Sequence, residues 1–145
     1  MKKLVILLLF ISITATAQFK NIGLSYNEVA LKESVILTGN LKNGLHYLFV
    51  KDDVFTGITY LFKEEVCVGS VVFMKNRGQF IEVLDVIKDR GVYMGDDSYV
   101  VKYDGQLFIV KFYISKKDDR FKYFIAIKRY EKEHNSIEQE KIFHF

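Results

Sequence analysis

Three histidines, one cysteine and three pairs of adjacent aspartates are the residues of this 145-residue chain with the most chemistry to offer. His46, His134 and His144 show no H-x-x-x-H spacing, and Cys67 has no second sulfur near it, so neither type predicts a metal centre. His46 falls within "GLHYLFV", a stretch that reads as a strand, where it is expected half-buried or solvated. Ser70 stands in "VGSVV", which is no nucleophile elbow, and no base is marked for it. "GVYMG" lacks the lysine and the spacing of a phosphate loop. Asp52-Asp53, Asp96-Asp97 and Asp118-Asp119 fall between apolar runs, and carboxylates suit hard cations. None follows the alternating spacing that wraps one ion, whereas Asp is favoured in turns because its side chain bonds nearby backbone. Cys67, in "VCVGSVV" with no basic neighbour to lower its pKa, reads as a small apolar filler. No catalytic residue, metal site or cofactor is therefore expected.

Binding chemistry is better represented. In "QLFIVKFYI", Phe108, Val110, Phe112 and Ile114 point one way, with Leu107, Ile109, Lys111 and Tyr113 opposite. In "RFKYFIAIKRY", Phe121, Tyr123, Ile125 and Ile127 alternate against Lys122, Phe124, Ala126 and Lys128. The fully apolar sets should face the core. The other face gathers Lys111, Tyr113, Phe124 and Lys128, with Leu61 and Tyr130 beside them. These four are the candidate binding residues, since an apolar patch rimmed by charge often marks a partner site and Tyr is enriched at interfaces.

The elements that must position them follow from the pattern. "LSYNEV" opens a short helix: Ser25 and Glu28 have the spacing of a capping box, flanked by Leu24 and Val29 as a hydrophobic staple. Strands are expected in "GLHYLFV", "TGITYLF" and "VCVGSVVFM". A second helix follows in "GQFIEVLDVIKDRG", where Phe80, Val83, Leu84 and Ile87 form one stripe and Gly91 can end it in the left-handed conformation. Three more strands are expected in "SYVVKY", "QLFIVKFYI" and "RFKYFIAIKRY". The fold class this implies is α+β: an antiparallel sheet of about six strands with two helices on one face, in the order α-βββ-α-βββ. A slide of 52 residues lays Tyr47 on Tyr99, Asp52 on Asp104, and Ile58, Tyr60 and Phe62 on Val110, Phe112 and Ile114. The helices match at a shift of 54, Glu28-Val29 on Glu82-Val83. Residues 24–75 and 78–130 thus read as possible repeats within a single domain over 18–130.

The ends add location. "MKK", then the apolar run "LVILLLFISI", then "ATA" is the three-part layout of a signal peptide with a small-x-small cleavage site. The run is shorter than the roughly 20 residues a membrane span needs. Cleavage after Ala17 would start the mature chain at Gln18 and lower the basic count from 21 to 19 against 18 acids. That balance offers no footprint for nucleic acid. A single cysteine and no proline mean that stability rests on packing, and turns on Gly, Asp and Asn. Residues 131–145 read as a polar tail. Its closing "FHF" is like the last strand of an outer-membrane barrel, but about six strands are too few for one.

"IGLSYNEV", residues 22–29, resembles the G-[ML]-[ST]-x-x-E-V opening of small envelope proteins of the SmpA/BamE type, whose module is related in layout to the repeats of the β-lactamase inhibitor protein. The chain departs from that pattern in having no lipid-bearing cysteine at 18 and no Gly-x-Pro after the first helix. The resemblance implies an extracytoplasmic, non-catalytic protein that contacts other proteins, and it assigns no site residue. The expected partner is another envelope or extracellular protein, with no nucleic acid and no membrane span after cleavage. The competing expectation is a small extracytoplasmic hydrolase or cation-dependent enzyme, which a pocket gathering two or more acids or histidines would favour.

Overall fold

A computed structural model of the chain describes residues 18–131. The expected leader (1–17), residues 132–145 of the expected tail, and His134 and His144 lie outside the described residues. Residues 18–20 are helical, and α1 (Tyr26–Lys32) follows. Four strands come next: β1 (Val35–Asn40), β2 (His46–Val50), β3 (Gly57–Lys63) and β4 (Val66–Phe73). After α2 (Arg77–Arg90) there are four more: β5 (Val92–Gly95), β6 (Ser98–Tyr103), β7 (Gln106–Ile114) and β8 (Tyr123–Arg129).

They form one 8-stranded sheet in the order β1-β2-β3-β4-β8-β7-β6-β5, antiparallel at every pair. The expectation of about six strands, two helices and the order α-βββ-α-βββ is therefore wrong. Each helix is followed by a four-strand meander, and the two meanders join through their last strands. Both strands missing from that expectation, β1 and β5, are the edges. "VILTGN" sets three apolar residues in a row and never alternates, while "VYMG" is only 4 residues long. An edge strand needs no two-faced pattern, because little packs on it. The strand count reaches that of a small barrel, yet the sheet is open at both edges.

Both helices cover one face. Ser25 caps α1 as its sequence implies: its Oγ accepts from the Glu28 N–H at 3.2 Å, and its own N–H donates to the Glu28 carboxylate at 2.8 Å. Those bonds hold the Glu28 carboxyl below its ordinary range. Helix α2 is capped by Asn76, whose side chain accepts from the Gln79 N–H at 2.9 Å. Gly91 ends α2, but in extended backbone at φ −108°, so the left-handed expectation fails. Glycine stands there because a Cβ would sit 2.8 Å from the Ile87 carbonyl oxygen and 2.9 Å from Val101.

The core lies between this face and the helices. Leu48, Tyr60, Phe62 and Val72 fill the first meander, Val101, Phe108, Val110 and Phe112 the second, with Ile125 and Ile127 between them. Val29 of α1 and Phe80 and Val83 of α2 close it from above. Two expected core positions are corrected. Ile114 ends β7 and is 58 % exposed, whereas Phe121 precedes β8 and packs on Phe49 and Phe73, which lie on the opposite face. The 52-residue slide fails in part for a related reason: Tyr99 packs in the helix-side core and Tyr47 on the outer face. Ile58, Tyr60, Val110 and Phe112 do share the helix side.

Tight hairpins at Glu64-Glu65, Asp96-Asp97 and Asp104-Gly105 have φ > 0 at both central residues, the twist that matches flanking strands. At the edges, Val35, Ile36 and Leu37 of β1 and Val92, Tyr93 and Met94 of β5 are exposed. Each edge carries a register shift, between Val35 and Leu37 and between Tyr93 and Gly95. Among the described residues, no helix is long and apolar enough to cross a membrane.

Candidate functional site

The face turned away from the helices is built by register. Strands β7 and β8 pair Tyr113 with Phe124, Lys111 with Ala126 and Ile109 with Lys128, so every second residue of each strand arrives on that side. The Tyr113 and Phe124 rings stack with centroids 5.0 Å apart and planes 8° from parallel. The Lys111 ammonium lies 5.4 Å from the Tyr113 ring centroid, within cation–π range. From Phe124 the aromatic contact continues to Phe73 at 5.7 Å, then to Phe121 at 4.9 Å and Phe49 at 6.3 Å. Leu61, Val71 and Ala126 are buried in the satellite cluster that Tyr47, Phe73, Tyr113 and Phe124 pack against.

Of the four candidate residues, Tyr113 thus meets both Lys111 and Phe124. Lys128 is on the same face but only 5 % exposed, two residues from buried Ala126 and opposite Gly69 in β4. Burial, with the Lys111 charge adding to it, pushes the Lys128 ammonium down to about 8. Burial also raises the Tyr113 phenol. Lys128 therefore belongs to the floor of the patch, and Lys111 lies nearer its surface. Phe49, Phe73 and Phe121 are the members sequence reasoning missed. A mid-sheet glycine was the available signal: the Phe49 ring lies where a Cβ of Gly57 would be, 2.4 Å away, so the glycine makes room for it.

None of the eight strands contains Asp or Glu, and their formal charges are the cations Lys63, Lys102, Lys111, Lys128 and Arg129. Among the described residues the acids lie in helices, turns and loops. Asp52 accepts from the Val54 and Phe55 N–H groups, both at 2.9 Å, and Asp118 from the Arg120 N–H at 2.9 Å. Among the described residues no group of three or more His, Cys, Asp or Glu could hold a metal ion.

Cys67 and Ser70, the nucleophile types weighed in the sequence, are both buried. Cys67 is buried, which pushes its thiol up to about 12 and leaves no thiolate at neutral pH. The Ser70 hydroxyl is buried and donates to the Gln18 carbonyl at 3.4 Å. Tyr60 lies beside Asn21 with its hydroxyl in no well-formed hydrogen bond, and burial, reinforced by the Glu33 carboxylate, raises its pKa. One polar cleft of about 230 Å³ does bring together Tyr26, Thr38, Asn40, His46 and Glu65. There the His46 Nδ1 is bonded to Asn40, and Glu65 holds φ +67°. An apolar cavity of about 120 Å³ lies under the last turns of α2, where Phe19 and Phe55 of the first unit meet Val101, Ile125 and Ile127.

Comparison with family models, curated proteins and solved structures finds no match to this chain.

Proposed function

We propose that the protein is exported and acts by binding another envelope or extracellular protein through the outer sheet face, without catalysis. One observation carries this reading: the stacked Tyr113–Phe124 pair, extended through Phe73 to Phe121 and topped by Lys111, on strands that hold no carboxylate. Aromatic groups supply contact area at low entropic cost, and lysine at the rim selects by charge. The partner surface that fits is an acidic segment with apolar or aromatic side chains between its carboxylates. The signal-peptide layout of residues 1–17 and the SmpA/BamE-like opening at 22–29 point the same way.

A photo-reactive residue placed at Tyr113 tests the proposal in intact cells. It should trap one reproducible protein through an acidic segment, whereas the same residue at Asp85 on α2 should not. Lys111→Glu together with Phe124→Ala should abolish the cross-link. Equal labelling at both positions, or a cross-link indifferent to the substitutions, would exclude this face.

A second reading has its own observation. The cleft at Tyr26, Asn40, His46 and Glu65 joins an imidazole and a carboxylate in one polar recess. This favours a small hydrolase acting on a polar substrate. Loss of a hydrolytic activity in both His46→Ala and Glu65→Gln, with the Tyr113 cross-link unchanged, would establish it.

A further inference from the structure

We propose that the cavity under the last turns of α2 binds a small monocarboxylate, its hydrocarbon body against Phe19, Val83, Ile125 and Ile127 and its carboxylate on Arg90. The cavity lies on the helix side of the sheet, so the inference stands apart from the outer face. Its origin is in how α2 is held. Near the helix start, Phe80 packs edge-on to Phe112 at 5.5 Å and beside Tyr123 at 5.3 Å. At its end, the Gly91 N–H donates to the Ile87 carbonyl at 2.8 Å, and the missing Cβ lets the backbone approach Val101. Between these two anchors the helix presents Val83, Val86 and Ile87 to the sheet. Their short branched side chains do not fill the space above Ile125 and Ile127, and about 120 Å³ is left.

The walls select for hydrocarbon. An apolar cavity of about 150 Å³ in a protein core takes up benzene, so this one fits a body of about five carbons. One part of the lining is charged. Arg90 follows Val83 at i+7, with Val86 and Ile87 between, and so continues the stripe that α2 turns inward. It is exposed nonetheless, which lays its stem along the cavity and its guanidinium at the mouth. Lys102 also lines the cavity, but its neighbour Val101 is the residue that β6 buries here, so the Lys102 ammonium alternates toward the opposite face. Among the described residues, the lining holds no Asp or Glu, and Arg90 forms no ion pair. A neutral apolar molecule would leave the guanidinium unused, and an amine would be repelled by it. A carboxylate gains charge-assisted hydrogen bonds there, in the bidentate geometry a guanidinium favours. A short monocarboxylate satisfies both ends, and hexanoate is the probe of matching size.

Methyl NMR spectra of the purified protein, titrated in turn with hexanoate, 1-hexanol and hexylamine, test this. Hexanoate should give saturable shifts at the Val83, Val101 and Ile125 methyls and bind about tenfold more tightly than 1-hexanol, with hexylamine the weakest. Arg90→Gln should remove that advantage and leave 1-hexanol binding unchanged. Lys102→Gln removes the same formal charge and should change neither, which separates contact from net charge. Val86→Phe should exclude all three probes. Absence of a saturable shift at the three methyls overturns the site. Equal binding of acid and alcohol, or an advantage that survives Arg90→Gln, overturns the carboxylate. Hexanoate binding that persists in folded Val86→Phe places it elsewhere and overturns the proposal as well. Arg90 is exposed, so its replacement spares the core, and the test stands even where Val86→Phe fails to fold.

Discussion

The two helix-plus-meander units share a topology and differ in how they are closed. In the first, the 7-residue α1 buries Val29 completely and sets Tyr26 edge-on to Phe62 at 5.1 Å. Backbone bonds tie the chain ahead of it to β4, and the Tyr26 N–H donates to the Glu65 carbonyl at 2.9 Å. In the second, the 14-residue α2 buries only Phe80 and Val83, and Val86, Ile87 and Arg90 line a cavity. The longer helix makes the looser seal. Helix length therefore matters less to coverage than the number of points at which the chain is tied to the sheet, a view consistent with tertiary contacts dominating helix stability.

Core truncation should show this most strongly. Phe62→Ala, fully buried under α1, is expected to destabilise by about 3–5 kcal/mol, whereas Ile87→Ala beside the cavity should cost only about 1 kcal/mol, because that site can collapse. Denaturant unfolding measures both, and it should give one transition. Two separate transitions would break the picture of a shared core.

The junction of the units carries the next effect. Lys128, on β8 where it meets β4, has a folded-state pKa of about 8 against an ordinary 10.5. Between those values the unfolded chain binds more protons, so stability rises with pH from about 8 to 10.5 and the burial penalty is fully present below 8. The rise is on the order of 3 kcal/mol. Lys128→Met should flatten it, and Lys111→Gln should shift its onset upward by removing the neighbouring charge. A rise that survives Lys128→Met would assign it to another group.

Helix caps sharpen the contrast between the units. Ser25→Ala and Asn76→Ala should each cost about 1 kcal/mol. The loss should expose the short α1 to amide hydrogen exchange along its whole length, but only the first turn of α2. The smallest effect concerns turns. Glu65→Gly should stabilise by about 0.5–1 kcal/mol by relieving a left-handed β-carbon, and Asp97→Gly by less, because Asp tolerates that backbone better. Melting curves of the two variants settle the order.

What was legible in the sequence tracks how much packing each segment does. The Ser25–Glu28 box, the Phe80–Val83 stripe and the alternation of Phe108, Val110 and Phe112 are enforced by one-sided burial, and each appears in the structure. The edges β1 and β5 bury little, so selection for alternation is weak and neither stood out. Alternation points Phe121 at the core only if it is carried past the start of β8, into a loop where period 2 has no meaning. Parity alone places Lys111, Tyr113 and Phe124 on one face of the sheet, but it carries no sign of the depth of Lys128, which depends on opposing Gly69 across β4. The cleft at His46 and Glu65 joins β2 to a hairpin tip far along the chain, and no local spacing announces it.

The one-residue irregularity at each end of the sheet has a consequence for solubility at high concentration. Ile36 has no opposite number on β2, and Met94 none on β6, so the outward rows of N–H and C=O groups are broken at both margins. A slab with unbroken apolar margins could add a neighbour on either side and grow without limit. Deleting Ile36 would restore a regular row on one margin, and with it a route to fibres that the native chain has closed.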